Sequence, residues 1–108
     1  MKKVFVSMPM GGKGKEEIFE ERERLLAAAA DTLGEEIGLV ESYLGRGNYK
    51  PLECLGESLK RMASADFVVF GRGWEDARGC RIEHTCALEY GVAILDVEPS
   101  GELEALRE

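Results

Sequence analysis

The 108-residue chain has one histidine, three cysteines and no apolar run long enough to cross a bilayer, and each shortage removes a class of function. Cys54, Cys80 and Cys86 are odd in number and form neither a zinc spacing nor a disulfide framework. With His84 the only histidine, no ligand cluster suggests a metal or an organic cofactor, and none is expected. Basic residues are also in deficit. Fourteen Lys and Arg stand against twenty-one Asp and Glu, a net charge of -7, which argues against wrapping a nucleic-acid polymer but leaves a single nucleoside or nucleotide open. No signal-peptide pattern is visible, so no membrane association and a reducing cytoplasm are the expectations.

What is present reads as one globular domain over 1–108, 44% hydrophobic and 32% charged. The segment 65–91, ADFVVFGRGWEDARGCRIEHTCALEYG, organises the rest: an apolar strand at 67–70, a turn bearing Gly71 and Gly73, and a helix over 77–90 ended by Gly91. In open parallel sheets the ligand crevice lies outside the carboxyl ends of the strands, where helix N-termini also point. Trp74, Glu75, Asp76 and Arg78 fall at that edge, with Glu83 about two turns on. Asp66, Asp76 and Glu83 are the candidate acids. Paired carboxylates suit glycosyl chemistry, one as nucleophile and one handling the proton. The competing reading makes Glu83 a solvated helix residue, and Glu75 and Asp76 acids that complement a helix dipole.

Before this segment come a buried strand at Val4, Phe5 and Val6, then the loop Ser7-Met8-Pro9-Met10-Gly11-Gly12-Lys13-Gly14-Lys15. Its glycines allow a close backbone approach to a ligand. It is not a Walker loop, because Glu16 stands where Ser or Thr would hold magnesium. A helix over 16–33 buries Ile18, Arg22, Leu25, Leu26, Ala29 and Leu33 and turns Glu16, Glu20 and Glu23 to water, and a strand at 37–41 follows. The loop 42–51 carries Tyr43 and Tyr49, placed to stack on a planar ring or simply to pack the loop down. Pro51 opens a second helix with Leu52, Leu55, Leu59 and Met62 on one face. The last strand is expected over 92–97, and the 98–108 tail holds a short amphipathic piece that caps the sheet edge or reaches a neighbouring subunit. The βαβαβαβ pattern predicts an α/β three-layer fold with a parallel sheet of four strands, or five, in order 2-1-3-4. Trp74 is placed to stack on a base or to pack; Cys80 and Cys86 read as core fillers and His84 as exposed or at an interface. The first strand ends without the acidic pair of a phospho-receiver domain.

The combination of KVFVSMPM with Gly11-Gly12, SLKRMASADFVVF, and GWEDARGCRIEHTCALEYG resembles the nucleoside 2-deoxyribosyltransferase superfamily, which also contains deoxynucleotide N-glycosidases. The resemblance runs to about Val97. It implies a flavodoxin-like fold and, at Glu83, the carboxylate that attacks the anomeric carbon of a deoxynucleoside. It implies further that Asp76 or Asp66 protonates the leaving base. Phe5, Ser7, Gly11, Gly12, Lys13, Tyr43, Tyr49, Trp74, Arg78 and Gly79 complete the candidate substrate-binding positions. Family pockets are completed by a neighbouring subunit, so a homo-oligomer, a dimer or higher, is implied.

Two positions depart from the family pattern. Phe5 stands where characterised members carry a tyrosine that orients the nucleophile. Asp76-Ala77 replaces the serine of monophosphate-specific members, and an acid there repels a phosphate, whereas Lys13 and Arg78 would attract one. The open readings are an enzyme exchanging or hydrolysing an N-glycosidic bond, a nucleotide N-glycoside hydrolase, and a non-catalytic nucleoside-binding domain.

Overall fold

A computed structural model describes residues 1–43 and 50–97. Tyr49 and the 98–108 tail, which carry two of the expectations above, lie outside the described residues. The first strand, β1 (Lys2–Ser7), is longer than the apolar triplet inside it. Pairing sets its length. Lys2 and Lys3 stand against Ile37 and Gly38 of β2 (Ile37–Val40), and Ser7 stands against Phe70 of β3 (Phe67–Phe70). A fourth strand, β4 (Ala93–Ile94), is shorter than expected because only Phe67 and Val68 of β3 pair with it. Every pairing is parallel and the order is β2-β1-β3-β4, as the alternation of elements predicts.

Three helices cover this sheet: α1 (Lys15–Leu33), α2 (Pro51–Met62) and α3 (Arg78–Glu89). Successive side chains of a strand point to opposite faces, and β1 divides accordingly. Val4, Val6 and Met8 pack with Ile18, Leu25 and Ala29 of α1, while Phe5 packs with Met62 of α2 and Ala87 of α3. The fold is therefore a flavodoxin-like three-layer α/β arrangement with one helix on one face and two on the other. Ser7, two residues beyond Phe5, faces the α2 and α3 side.

Helix α1 ends where the sequence predicts, at Gly34, whose left-handed backbone (φ 71°) lets its N–H reach Ala30 O at 2.8 Å. Arg22 sits in the buried stripe of α1 because its guanidinium lies 4.5 Å from the Phe19 ring centroid and pairs with Glu41. On α2, Leu52 is 78% exposed, unlike Leu59 and Met62, because the N-terminal half of this helix overhangs a cavity instead of the core. Among the described residues no helix is long and apolar enough to cross a membrane.

Gly71 closes β3 where the layers meet most tightly. A Cβ there would stand 2.8 Å from Met8 Cβ and 3.3 Å from Leu25 Cδ1. Met8 Cβ is fixed to the backbone and Leu25 is fully buried, so Gly71→Ala is expected to destabilise by about 1–3 kcal/mol through overpacking. Thermal unfolding followed by circular dichroism checks this, each kcal/mol lowering Tm by roughly 4–8 °C in a domain of this size.

Candidate active site

The carboxyl ends of β1 and β3 meet the first two turns of α3. Helix α3 turns Cys80, Glu83 and Ala87 inward, a three- and four-residue spacing that keeps all three on one face. Ala87 belongs to the core. Glu83 lies one turn nearer the sheet edge, only 7% exposed, and meets the end of β1. There Ser7 Oγ donates to Glu83 Oε1 at 2.5 Å, across 76 residues of sequence. Ser58 on α2 lines the adjoining cavity near the carboxylate. Burial pushes the Glu83 pKa above the ordinary carboxylate value, against the Ser7 hydrogen bond and the nearby Ser58 hydroxyl, which favour the charged form.

A cavity of about 480 Å³ opens beside this carboxylate. Phe5, Ser7, Met8 and Met10 line it from β1 and the loop beyond, Cys54, Leu55 and Ser58 from α2, and Ala77, Gly79 and Cys80 from the start of α3. Ser42 and Tyr43 close it from beyond β2. The wall is thus mainly apolar with a few convergent polar groups, the usual composition of a small-molecule site. Cys80 shares Ser7 with Glu83, and its thiol is pushed up, first by burial and further by the Glu83 charge, opposed by the Ser7 hydrogen bond and the Lys13 charge. A thiol held in the protonated form is a poor nucleophile.

Of the residues singled out by sequence, the fold brings Glu83, Phe5, Ser7, Lys13, Tyr43 and Gly79 around one cavity. Phe5 forms part of its floor at 1% exposure and continues into the core. Lys13 Nζ is tied to Glu21 Oε1 at 2.8 Å. Tyr43 is held in a T-shaped contact with Phe19, ring centroids 5.2 Å apart, so its ring is anchored from behind.

Other candidates are placed elsewhere. Asp66 precedes β3 and therefore lies at the opposite, amino-terminal edge of the sheet, where Oδ2 accepts from Lys3 N at 2.8 Å. Four strand residues separate the level of Lys3 from that of Ser7, about 13 Å at ~3.3 Å per residue. Asp76 sits in the turn before α3, as expected, but that turn is a 3₁₀ turn (Trp74–Asp76) that leaves it exposed and outside the cavity lining. Glu83 is accordingly the only carboxylate lining the cavity among the described residues. Trp74 stacks on His84 with centroids 4.1 Å apart and planes 14° apart, and both line a second cavity on the β4 side. His84 is thus half-buried against an aromatic ring, where exposure or a place at an interface was expected. Gly11, Gly12 and Arg78 are exposed and do not line the main cavity.

Sequence reasoning passed over Ser42, Ser58, Lys15 and the cavity face of Cys80. Cys80 was findable, since it precedes Glu83 by three on a helix whose inward face was known. Ser58 follows Leu55 by three on α2 in the same way. Among the described residues no group of three or more His, Cys, Asp or Glu is arranged to hold a metal ion.

The placement of Asp66 makes a direct prediction. Asp66→Ala is expected to leave any chemistry at Glu83 unchanged and to lower stability by about 0.5–1.5 kcal/mol through the lost bond to Lys3 N. Urea unfolding beside an activity assay separates the two readouts.

Set against family models, curated proteins and solved structures, the chain finds no match in any of the three.

Proposed function

We propose that the protein cleaves or exchanges the N-glycosidic bond of a nucleoside, with Glu83 as nucleophile. The observation that carries this reading is a buried carboxylate, held by the Ser7 hydroxyl, at the wall of a largely apolar cavity on the carboxyl edge of a parallel sheet. A carboxylate has about four lone-pair sites, and the Ser7 bond occupies one, which leaves acceptor capacity for a ligand. Burial strips water from the nucleophile and strengthens its attraction to an oxocarbenium-like carbon.

In the first step a Glu83 oxygen bonds to the anomeric carbon while the carbon–nitrogen bond breaks and its electron pair leaves with the base. In the second, water or another base attacks the same carbon, the ester bond to Glu83 breaks, and the proton released by the incoming group passes through the freed carboxylate or solvent to the departed base. A nucleobase delocalises the departing pair over its ring, so it leaves with less help from an acid than an alkoxide needs. That fits a cavity lined by one carboxylate, whereas retaining O-glycosidases use two about 5 Å apart.

Lys13 is committed to Glu21 and Arg78 lies away from the cavity, whereas Lys15 also lines it, so charge admits both a nucleoside and its monophosphate. The resemblance on which the reading draws also carries a cytoplasmic homo-oligomer. The free thiols Cys54, Cys80 and Cys86 suit that compartment, and exposed Leu52, Leu88 and Tyr90 supply apolar surface for a neighbour.

The second reading is a nucleoside-binding domain without turnover, favoured by the absence of Asp66 and Asp76 from the cavity. Chromatography of a panel of ribo- and deoxyribonucleosides and their monophosphates, incubated with and without a second base, decides between the two. Free base or a new nucleoside, formed by the native protein and absent with Glu83→Ala, supports the enzyme. Saturable binding with no product supports the binding domain, and neither binding nor product refutes both.

A further inference from the structure

The bond between Ser7 and Glu83 is also the geometry of a nucleophile and its base. Ser7 Oγ donates to Glu83 Oε1 at 2.5 Å, the length of a charge-assisted bond, and the two residues, 3% and 7% exposed, line one cavity. A serine whose hydroxyl is held by a proton acceptor is activated for attack on a carbonyl carbon. Burial raises the affinity of Glu83 for a proton, which suits it to take the one that Ser7 gives up. The same wall holds donors for the charge that such an attack creates. No side chain caps α3 at Ala77, and the first bond inside the helix runs from Arg81 N to Ala77 O, so the N–H groups of Gly79 and Cys80 have no acceptor within it. Both residues line the cavity, and Cys80 faces Ser7 from one turn before Glu83. Backbone donors at a helix start stabilise an oxyanion as it forms. An independent mark of a polar ligand is Ser42, 7% exposed on the cavity wall, whose Oγ has no hydrogen-bond partner among the described residues.

We infer that the cavity also hydrolyses small uncharged carboxylic esters, with Ser7 as nucleophile and Glu83 as general base. The inference stands on the Ser7–Glu83 pair and does not draw on the N-glycosidic reading. Phe5, Met8, Met10, Ile18 and Leu55 make most of the wall apolar, so a short acyl chain and an apolar alcohol match a space of about 480 Å³. In the first half, Ser7 Oγ bonds to the carbonyl carbon, its proton passes to Glu83, and the carbonyl electron pair moves onto oxygen beside the Gly79 and Cys80 N–H groups. The pair returns, the carbon–oxygen bond to the alcohol breaks, and the alcohol leaves with the proton from Glu83. In the second half, water bonds to the same carbon and gives its proton to Glu83. The bond to Ser7 Oγ then breaks, the serine recovers that proton, and the carboxylic acid departs.

The test follows nitrophenolate release from para-nitrophenyl acetate and butyrate by the native protein, Ser7→Ala, Ser7→Thr and Glu83→Gln, with phenylmethylsulfonyl fluoride as a label for the nucleophile. The native protein is expected to exceed the rate in buffer, and Ser7→Ala and Glu83→Gln each to lose about 10²-fold or more of that excess. Ser7→Thr, which keeps a hydroxyl, should retain part of it. In the native protein the sulfonyl group should map to Ser7 and stop ester hydrolysis, a result that needs no variant to fold. A native rate equal to that in buffer, hydrolysis that persists in Ser7→Ala, or a label carried by a lysine or Cys54 instead of Ser7 overturns the inference. None of these outcomes touches the N-glycosidic reading, whose covalent group is a pentosyl on Glu83.

Discussion

Glu83→Gln is expected to reduce kcat/KM by about 10³-fold or more while leaving the protein at least as stable at neutral pH. The amide is isosteric and still accepts the Ser7 hydrogen bond, so the packing around α3 has no reason to change. It cannot form a glycosyl ester. The stability half of the result follows from the raised pKa of Glu83, which burial pushes above its ordinary value of 4.5. The native state holds this proton more tightly than the unfolded chain does. The associated stabilisation is therefore fully present below pH 4.5 and is lost as pH rises through the raised native value. Above that value the folded protein carries a desolvated charge that glutamine lacks. Thermal unfolding across pH should show Glu83→Gln equal to or above the native protein at neutral pH, with the difference closing on acidification. A residue that lowers stability by its presence and is nonetheless needed for turnover has the signature of a functional site.

The second large effect is assigned to Ser7. Its hydroxyl donates to Glu83 Oε1 at 2.5 Å from a strand end fixed by pairing with Phe70. Hydrogen bonds to charged groups contribute about 1.5–3 kcal/mol, so Ser7→Ala should lower kcat by roughly ten- to a hundredfold with KM little changed. It should also move the pH profile. Activity requires ionised Glu83, so the rate rises with pH through a midpoint above 4.5 in the native protein. Removing a bond that favours the charged form shifts that midpoint further upward. A purely packing role for Ser7 would lower activity without displacing the profile.

The sheet order and the burial of Glu83 had different sources in the sequence. Alternation of apolar strands with helical spacing fixes a parallel sheet, and the short 2-1-3-4 order follows from right-handed crossovers. Glu83 was reached through the segment it belongs to, and its inward phase agrees with Cys80 and Ala87 at helical spacing. The acids misled for two physical reasons. Asp66 precedes its strand, and in a parallel sheet all such positions lie at the edge away from the crevice, a conclusion available before any coordinates. Asp76 depended on the rotational phase of a turn. Gly73 in a left-handed conformation starts a 3₁₀ turn ahead of α3 that leaves Asp76 exposed, and nothing in the residue pattern announces the phase of that turn.

The orienting group shows the opposite case. Phe5 in place of a tyrosine reads, by position alone, as the loss of the nucleophile's support. In the fold the Glu83 carboxylate is held instead by Ser7, two residues further along the same face of β1. A contact across 76 residues needs the sheet register and the helix phase together, and neither is encoded locally. Trp74 was legible as an aromatic at the carboxyl edge but not as the partner of His84, since that pairing depends on the same turn.

The most direct test is to quench the protein rapidly while it turns over a nucleoside, weigh the intact chain and map any added mass by peptide sequencing. A single pentosyl residue on the peptide containing Glu83, absent from Glu83→Gln, is the predicted result. Release of base with the chain unmodified at every quench time, or a pentosyl group mapped to another residue, would contradict the account.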